Sequence, residues 1–274
     1  MKYLQYKINL QEVAFVLDEL SLWSSRFGHI LFDNLDIRAY KHILDIGCAT
    51  GFPLFELAHT FGPDCDITGI DIWKDALEKA REKQKIYDLP NVRIIEQNAQ
   101  EMSFAKEEFD LIVSNLGINN FDNPQQVLLE CYRVAKKNAT LVITTNLKGH
   151  MKPFYNIFAE TLRDLRLQES LEKLQKNEDH RGTSFSVSSL LENVGFKIVK
   201  KIEDNFSLRF LNSKAFFRHY LVKCGFLESW LSIVPLEEQQ TVFSILETKL
   251  DSIAREQGEI KMPIPMLYLQ AEKL

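Results

Sequence analysis

The 274-residue sequence has no apolar run long enough to cross a bilayer, so no membrane span is expected. Its opening, "MKYLQYKINLQEVAF", has no apolar h-region and no small-residue cleavage site, so no signal peptide is expected. Cysteine is sparse. Cys48, Cys65, Cys131 and Cys224 are scattered with no pair at metal-ligand spacing, which predicts reduced thiols in a cytoplasmic protein and no metal site. Positive charge is not in excess: 33 Lys and Arg stand against 38 Asp and Glu, a net charge of -5. The protein as a whole therefore does not attract nucleic acid or anionic lipid. Internal repeats and low-complexity linkers are also missing. What is present is ordinary for a soluble globular protein, with 45% hydrophobic and 26% charged residues. The length suits one large domain, or one domain with additions.

Helix and strand signals alternate through the first half. Asn9, Glu12 and the spacing of Leu10, Val13, Ala14, Leu17 and Leu20 predict a first helix, ended by "WSSRFG". "HILDIG" predicts a strand, and "FPLFELAHTF" a helix stopped by Gly62-Pro63. "DITGIDI" is a strand, and "WKDALEKAREKQKIY" a helix stopped by Leu89-Pro90. "VRIIEQ" and "FDLIVSN" are strands. "PQQVLLECYRVAKK" is a helix with Pro124 in its first turn, and "ATLVITTN" a strand. This βαβαβ order predicts a parallel sheet with helices on both faces.

After Asn146 the alternation is interrupted by the amphipathic stretch "GHMKPFYNIFAETLRDLRLQESLEKLQ". It resumes in "SVSSLLENVGFKIVKKI", with Ser186 as N-cap and Gly195 as the stop before a strand. Residues 213–257 are helical again, Gly258 closes them, and "PMLYLQAE" is a final strand. The chain reads as a single domain over 1–274. Its α/β core comprises 41–147, 183–205 and 259–274, with a helical arm and lid segments at 1–40, 148–182 and 206–258. Insertions at strand carboxyl ends would cover the crevice where open α/β sheets bind ligands.

The stretch "LDIGCATG", residues 44–51, is a buried strand running into a glycine turn. A dinucleotide fingerprint requires G-x-G-x-x-G. Here Gly47 is followed by Ala49 and Gly51, position 52 is Phe, and Asp45 stands two positions before the first glycine. An acid there, then G-x-(G/A)-x-G, resembles the first motif of the class I S-adenosylmethionine-dependent methyltransferases. "ITGIDIW", "IIEQNAQEM" and "FDLIVSNLGI" resemble their second, third and fourth motifs, in order and at the expected spacing over residues 41–147. "LLENVGFKIVK" is similar to a later helix and strand of that family. Within it the chain most resembles the small-molecule enzymes near the ubiquinone and menaquinone methylating group. Two departures stand out: Ala49 replaces the middle glycine, and "KKNAT" replaces the usual Pro-Gly-Gly turn.

The resemblance implies a Rossmann-like methyltransferase fold, a mostly parallel seven-stranded sheet with helices on both faces and helical lid insertions. It implies S-adenosyl-L-methionine as cofactor and S-adenosyl-L-homocysteine as product. Asp71, at the end of a strand, can accept hydrogen bonds from both ribose hydroxyls. Gly47, Cys48, Ala49 and Gly51 would bring backbone to the methionyl part, with Asp45 toward its ammonium. Ile72 and Trp73 would pack on adenine, Asn98 would meet its edge with Ala99 and Gln100 beside it, and Asn115 and Leu116 would lie beside the methyl donor. Asn119 and Asn120 are candidates for orienting substrate. Methyl transfer is an in-line displacement in which alignment can do much of the work. For a hydroxyl acceptor, His150, Tyr155 and His219 are candidate bases.

A small, partly hydrophobic acceptor is the leading expectation. Apolar stripes at Phe216, Phe217, Tyr220, Val242, Phe243, Leu246 and Leu250 pack a core or line such a pocket. A nucleic-acid enzyme is disfavoured by the charge and by "SNLGINNF", which has no Pro-Pro after the fourth strand. A protein methyltransferase, a non-catalytic cofactor-binding protein and a nicotinamide oxidoreductase are the other readings. Sequence leaves the oligomeric state open, monomer or dimer.

Overall fold

The computed structural model describes all 274 residues, the Ser21 side chain excepted. The apolar runs become seven strands: β1 (His42–Ile46), β2 (Asp66–Asp71), β3 (Val92–Glu96), β4 (Phe109–Asn115), β5 (Ala135–Asn146), β6 (Phe196–Phe210) and β7 (Ile260–Lys273). They form one sheet in the order β3-β2-β1-β4-β5-β7-β6. β1 to β5 pair in parallel, and β7 runs antiparallel to β5. β1, β2 and β4 are buried almost throughout, as strands covered on both faces must be. Chain order reverses between β1 and β4. In open α/β sheets that switch point, at the strand carboxyl ends, is where ligands bind.

The helices are α1 (Leu10–Val16), α2 (Ser21–Phe32), α3 (Leu54–Phe61), α4 (Lys74–Tyr87), α5 (Pro124–Val134), α6 (Lys152–Asp164), α7 (Gln168–Asp179), α8 (Ser184–Asn193), α9 (Ser213–Arg218), α10 (Tyr220–Val222), α11 (Glu228–Ile233) and α12 (Gln239–Gln257). The chain divides into two compact units. A sheet unit holds Leu10–Asn146, Thr183–Asp204 and Met266–Leu274. A helical unit holds Met1–Asn9, Leu147–Gly182 and Asn205–Pro265. Among the described residues no helix is long and apolar enough to cross a membrane.

Three local expectations are corrected. "WSSRFG" does not end a helix; it lies inside α2. Gly28 serves packing there, since a Cβ on it would sit 2.1 Å from the Phe52 ring. The N-cap of α8 is Thr183, whose hydroxyl accepts the Ser186 N–H while Ser186 returns a bond to the Thr183 amide. Ser186 is thus the inner half of a capping box and not the cap. "AKK" belongs to β5 and not to the helix before it, with Asn138 taking a left-handed turn at φ 62°.

The helical unit is built on aromatic rings. Trp230 is fully buried, with ring centroids 4.3 Å from Phe154 and 5.8 Å from Phe216. Tyr3 stacks on Phe217 at 4.9 Å and donates to Glu247. Phe216, Phe217, Val242, Phe243, Leu246 and Leu250 are all fully buried, so these stripes form the unit's own core.

In the sheet unit, Gly69 on β2 lets the turn after β1 lie close on the sheet. A Cβ at Gly69 would meet Leu54 Cδ2 at 2.7 Å and Cys48 Sγ at 2.9 Å. Gly69→Ala is expected to cost about 1–3 kcal/mol, as over-packing of a filled interior does. Urea unfolding of the two proteins checks it.

Candidate functional site

The turn between β1 and α3 is left-handed at three positions: Gly47 (φ 82°), Ala49 (φ 42°) and Gly51 (φ 108°). Glycine suits this conformation, and Ala49 adopts it at a modest steric cost. The amides of Gly47 and Cys48 both donate to the Ile70 carbonyl, at 2.9 and 3.1 Å, which ties the turn to the end of β2. The Asp71 carboxylate completes the tie. One oxygen accepts the Ala49 N–H at 2.9 Å and the other the Trp73 N–H at 2.9 Å. Asp71 thus shapes the turn and the chain leading into α4 together.

Asp45 lies within β1 and is fully buried. Neither carboxylate oxygen has a hydrogen-bond partner in the protein. Burial, and then the nearby Asp71 charge, push its carboxyl well above the usual carboxylate range. The Leu54 amide faces it without meeting hydrogen-bond geometry and offsets this only in part. Burial likewise raises the Cys48 thiol, with Asp45 and Asp71 adding to it. A nucleophilic thiolate is not favoured there.

The other strand ends gather at the same switch point. Ile72, which follows Asp71 in the chain, is 70% exposed, large for an apolar side chain. The Trp73 indole N–H is buried without a partner. Asn98 is exposed and accepts the Gln100 N–H at 2.9 Å, and Ala99 is buried. This loop is held from α5. Arg133 donates to the carbonyls of Met102 and Phe104, and Glu130 accepts the Met102 N–H. Asn115 accepts from the Thr144 hydroxyl at 2.5 Å, and Leu116 takes a left-handed φ of 68°. Asn119 donates to Thr145 and Asn146 at the end of β5, and Asn120 to the Leu116 carbonyl.

Sequence reasoning passed over two glycines here. Gly69 lies under Cys48. Gly117 sits where a Cβ would be 2.4 Å from Ser114 Oγ and 3.2 Å from the Ile46 carbonyl. Both stand inside strand-and-turn motifs already singled out, so glycine itself was the available signal. Thr50 was also passed over. It is buried in the turn and donates to Asp18 at 2.9 Å. Among the described residues no cluster of His, Cys, Asp or Glu could hold a metal.

The three candidate bases belong to the helical unit. Tyr155 is buried; its hydroxyl donates to Asn177 at 3.1 Å and accepts from the Trp230 indole at 3.2 Å. Burial raises its pKa. His219 is half-buried against Phe210, and burial lowers its pKa. His150 is 3% exposed, packed beside Tyr155 and Phe226, with no partner at Nδ1. Burial, and then the Arg181 charge, lower its pKa to about 4.

That value lies below the ordinary 6.5, so the unfolded chain binds the proton more readily. The His150 contribution is intact above pH 6.5 and is lost as pH falls toward 4. At full effect this is worth about 3 kcal/mol. His150→Gln is expected to flatten the loss of Tm between pH 7 and 4.5, followed by paired thermal melts.

A model of the methyltransferase domain family matches residues 37–200, more than half of the chain. The demethylmenaquinone methyltransferase of Listeria welshimeri is 32% identical over 117 residues, which cover 43% of this chain and 50% of that protein. The chain therefore spans about half the length of the curated relatives it matches. Among solved structures, the YcgJ protein of Bacillus subtilis has a TM-score of 0.57 at 17% identity, covering 91% of this chain and 98% of its own. The phosphoethanolamine N-methyltransferase 2 of Haemonchus contortus, solved with phosphomonomethylethanolamine and S-adenosylhomocysteine, gives 0.55 at 17%, covering 92% and 52%. At these identities the structural likeness is one of fold. The family match takes in the glycine turn, both acids and the strand ends beside them, and by it the chain belongs to the methyltransferase domain family.

Proposed function

We propose that this protein binds S-adenosylmethionine at the switch point and transfers its methyl group to a small, partly hydrophobic acceptor. The observation that carries the proposal is the fully buried, unpartnered carboxylate of Asp45 beneath the glycine turn. A buried carboxylate without a partner is costly, and a ligand cation relieves that cost. The methionyl ammonium is such a cation. Asp71 uses two of its roughly four lone-pair positions on backbone amides, which leaves acceptor capacity for a ribose diol.

The rest of the set fits the same ligand. The turn of Gly47, Cys48, Ala49 and Gly51 offers backbone for close approach. Ile72 and Trp73 offer an apolar face for adenine, and Asn98, Ala99 and Gln100 an edge for its nitrogens. Asn115 and Leu116 would flank the donor's sulfur. S-adenosylmethionine supplies an activated methyl on a sulfonium, with S-adenosylhomocysteine as the product. The chain's part is alignment and exclusion of water. Asn119 and Asn120 are proposed to orient the acceptor. The demethylmenaquinone methyltransferase relatives support an acceptor of small, hydrophobic kind. We assign the protein to the cytoplasm and expect no nucleic-acid partner.

Calorimetric titration with S-adenosylhomocysteine, with NADH as control, tests the reading. The thioether is expected to bind and NADH not to. Asp71→Ala is expected to weaken binding by about tenfold or more, through loss of charge-assisted hydrogen bonds. Binding of NADH in place of the thioether would overturn the assignment.

Asp45 gives a test of opposite sign for stability and binding. Its folded-state pKa is raised, so the empty protein loses stability as pH rises above the unfolded carboxylate value. Asp45→Asn is expected to raise the Tm of the empty protein at pH 7.5 and to weaken S-adenosylhomocysteine binding. Melts with and without ligand read both effects.

A further inference from the structure

Adjacent residues of the glycine turn are held by two different carboxylates. The Ala49 N–H goes to Asp71. The Thr50 hydroxyl goes to Asp18, at 2.9 Å. Asp18 stands in the short 3-10 segment Leu17–Leu20 that follows α1. Its two oxygens also meet Lys83 Nζ at 3.0 and 3.1 Å. Lys83 belongs to α4, the helix that begins just after Asp71 and Trp73, and its side chain is only 18% exposed. Asp18 is therefore a bridge between the two elements that form the switch-point site.

The segment carrying Asp18 has little apolar burial of its own. In α1 only Val13 and Ala14 are buried, in Leu17–Leu20 no residue is, and Leu10 and Phe15 are largely exposed. A second cation contact, Lys79 over the Phe15 ring at 5.1 Å, again joins it to α4. A segment with few buried contacts opens readily, so polar latches decide how firmly it docks.

We infer that Asp18 is a positioning residue for the cofactor turn, acting through Thr50, and that docking of residues 10–20 is coupled to occupation of that turn. The inference rests on the reading of the turn as the S-adenosylmethionine site. Coupling of this kind is reciprocal. If the docked segment orders the turn, a ligand in the turn must shift the segment toward its docked state.

Hydrogen exchange of the amides of residues 10–20, with and without S-adenosylhomocysteine, tests this in the full chain. Thr50→Val keeps the buried shape and removes the hydroxyl; Thr50→Ser restores it. In the wild type and in Thr50→Ser, ligand is expected to slow exchange in 10–20. In Thr50→Val the ligand is expected to protect residues 45–51 and leave 10–20 unchanged, with the ligand dissociating about tenfold faster, the scale of one hydrogen bond to a charged group. Equal protection of 10–20 in Thr50→Val and wild type overturns the inference. Asp18→Asn keeps an oxygen for Thr50 but loses the charge facing Lys83. It is expected to weaken the salt dependence of the dissociation rate relative to wild type, and an unchanged dependence counts against the bridge. The unliganded proteins give an arm free of the cofactor assignment. Faster exchange of 10–20 in empty Thr50→Val supports the latch even where the thioether fails to bind. Unchanged exchange there sinks it.

Discussion

The site depends on one carboxylate. Asp71 closes the end of β2 and accepts amide hydrogen bonds from two places at once, Ala49 in the turn after β1 and Trp73 at the entrance to α4. Without it the turn would be joined to β2 only by the two amides that share the Ile70 carbonyl. Parallel strands fix the distance between β1 and β2, and Gly69 removes the side chain that would keep the turn away from the sheet. The turn can then carry a left-handed alanine, since its amide is held where it is needed.

Much of this was legible in the chain. "LDIGCATG" and "ITGIDIW" gave the turn and its acid because strand-end chemistry is local: a few residues decide it. The succession of β1 to β5 along the chain and their parallel pairing followed from alternation. Residues whose role comes from distant packing were not legible. Gly28 looks like a helix stop until Phe52, twenty-four positions on, is seen to need its space. Ser186 and Thr183 are both good caps by type, and only the backbone decides between them. Asp18 and Lys83 lie 65 positions apart, and no sequence period relates them.

The helical unit shows a different economy. Its rings interlock around Trp230, and a hydrogen-bonded chain runs from the Trp230 indole through Tyr155 and Asn177 out to the exposed Ser229. A chain of this kind fixes the Tyr155 hydroxyl in place, because both its donor and an acceptor position are already used. His150 beside it keeps an open nitrogen. Two residues of similar promise in the sequence therefore differ in what they have left to offer a ligand.

The unpartnered, buried carboxyl of Asp45 has a consequence beyond chemistry. If a ligand cation pairs with it, as proposed, the protein is weaker empty than occupied. Anything that binds only the folded form adds to its stability by mass action. On the proposed reading, the time the chain spends open to proteolysis would then follow the supply of the ligand.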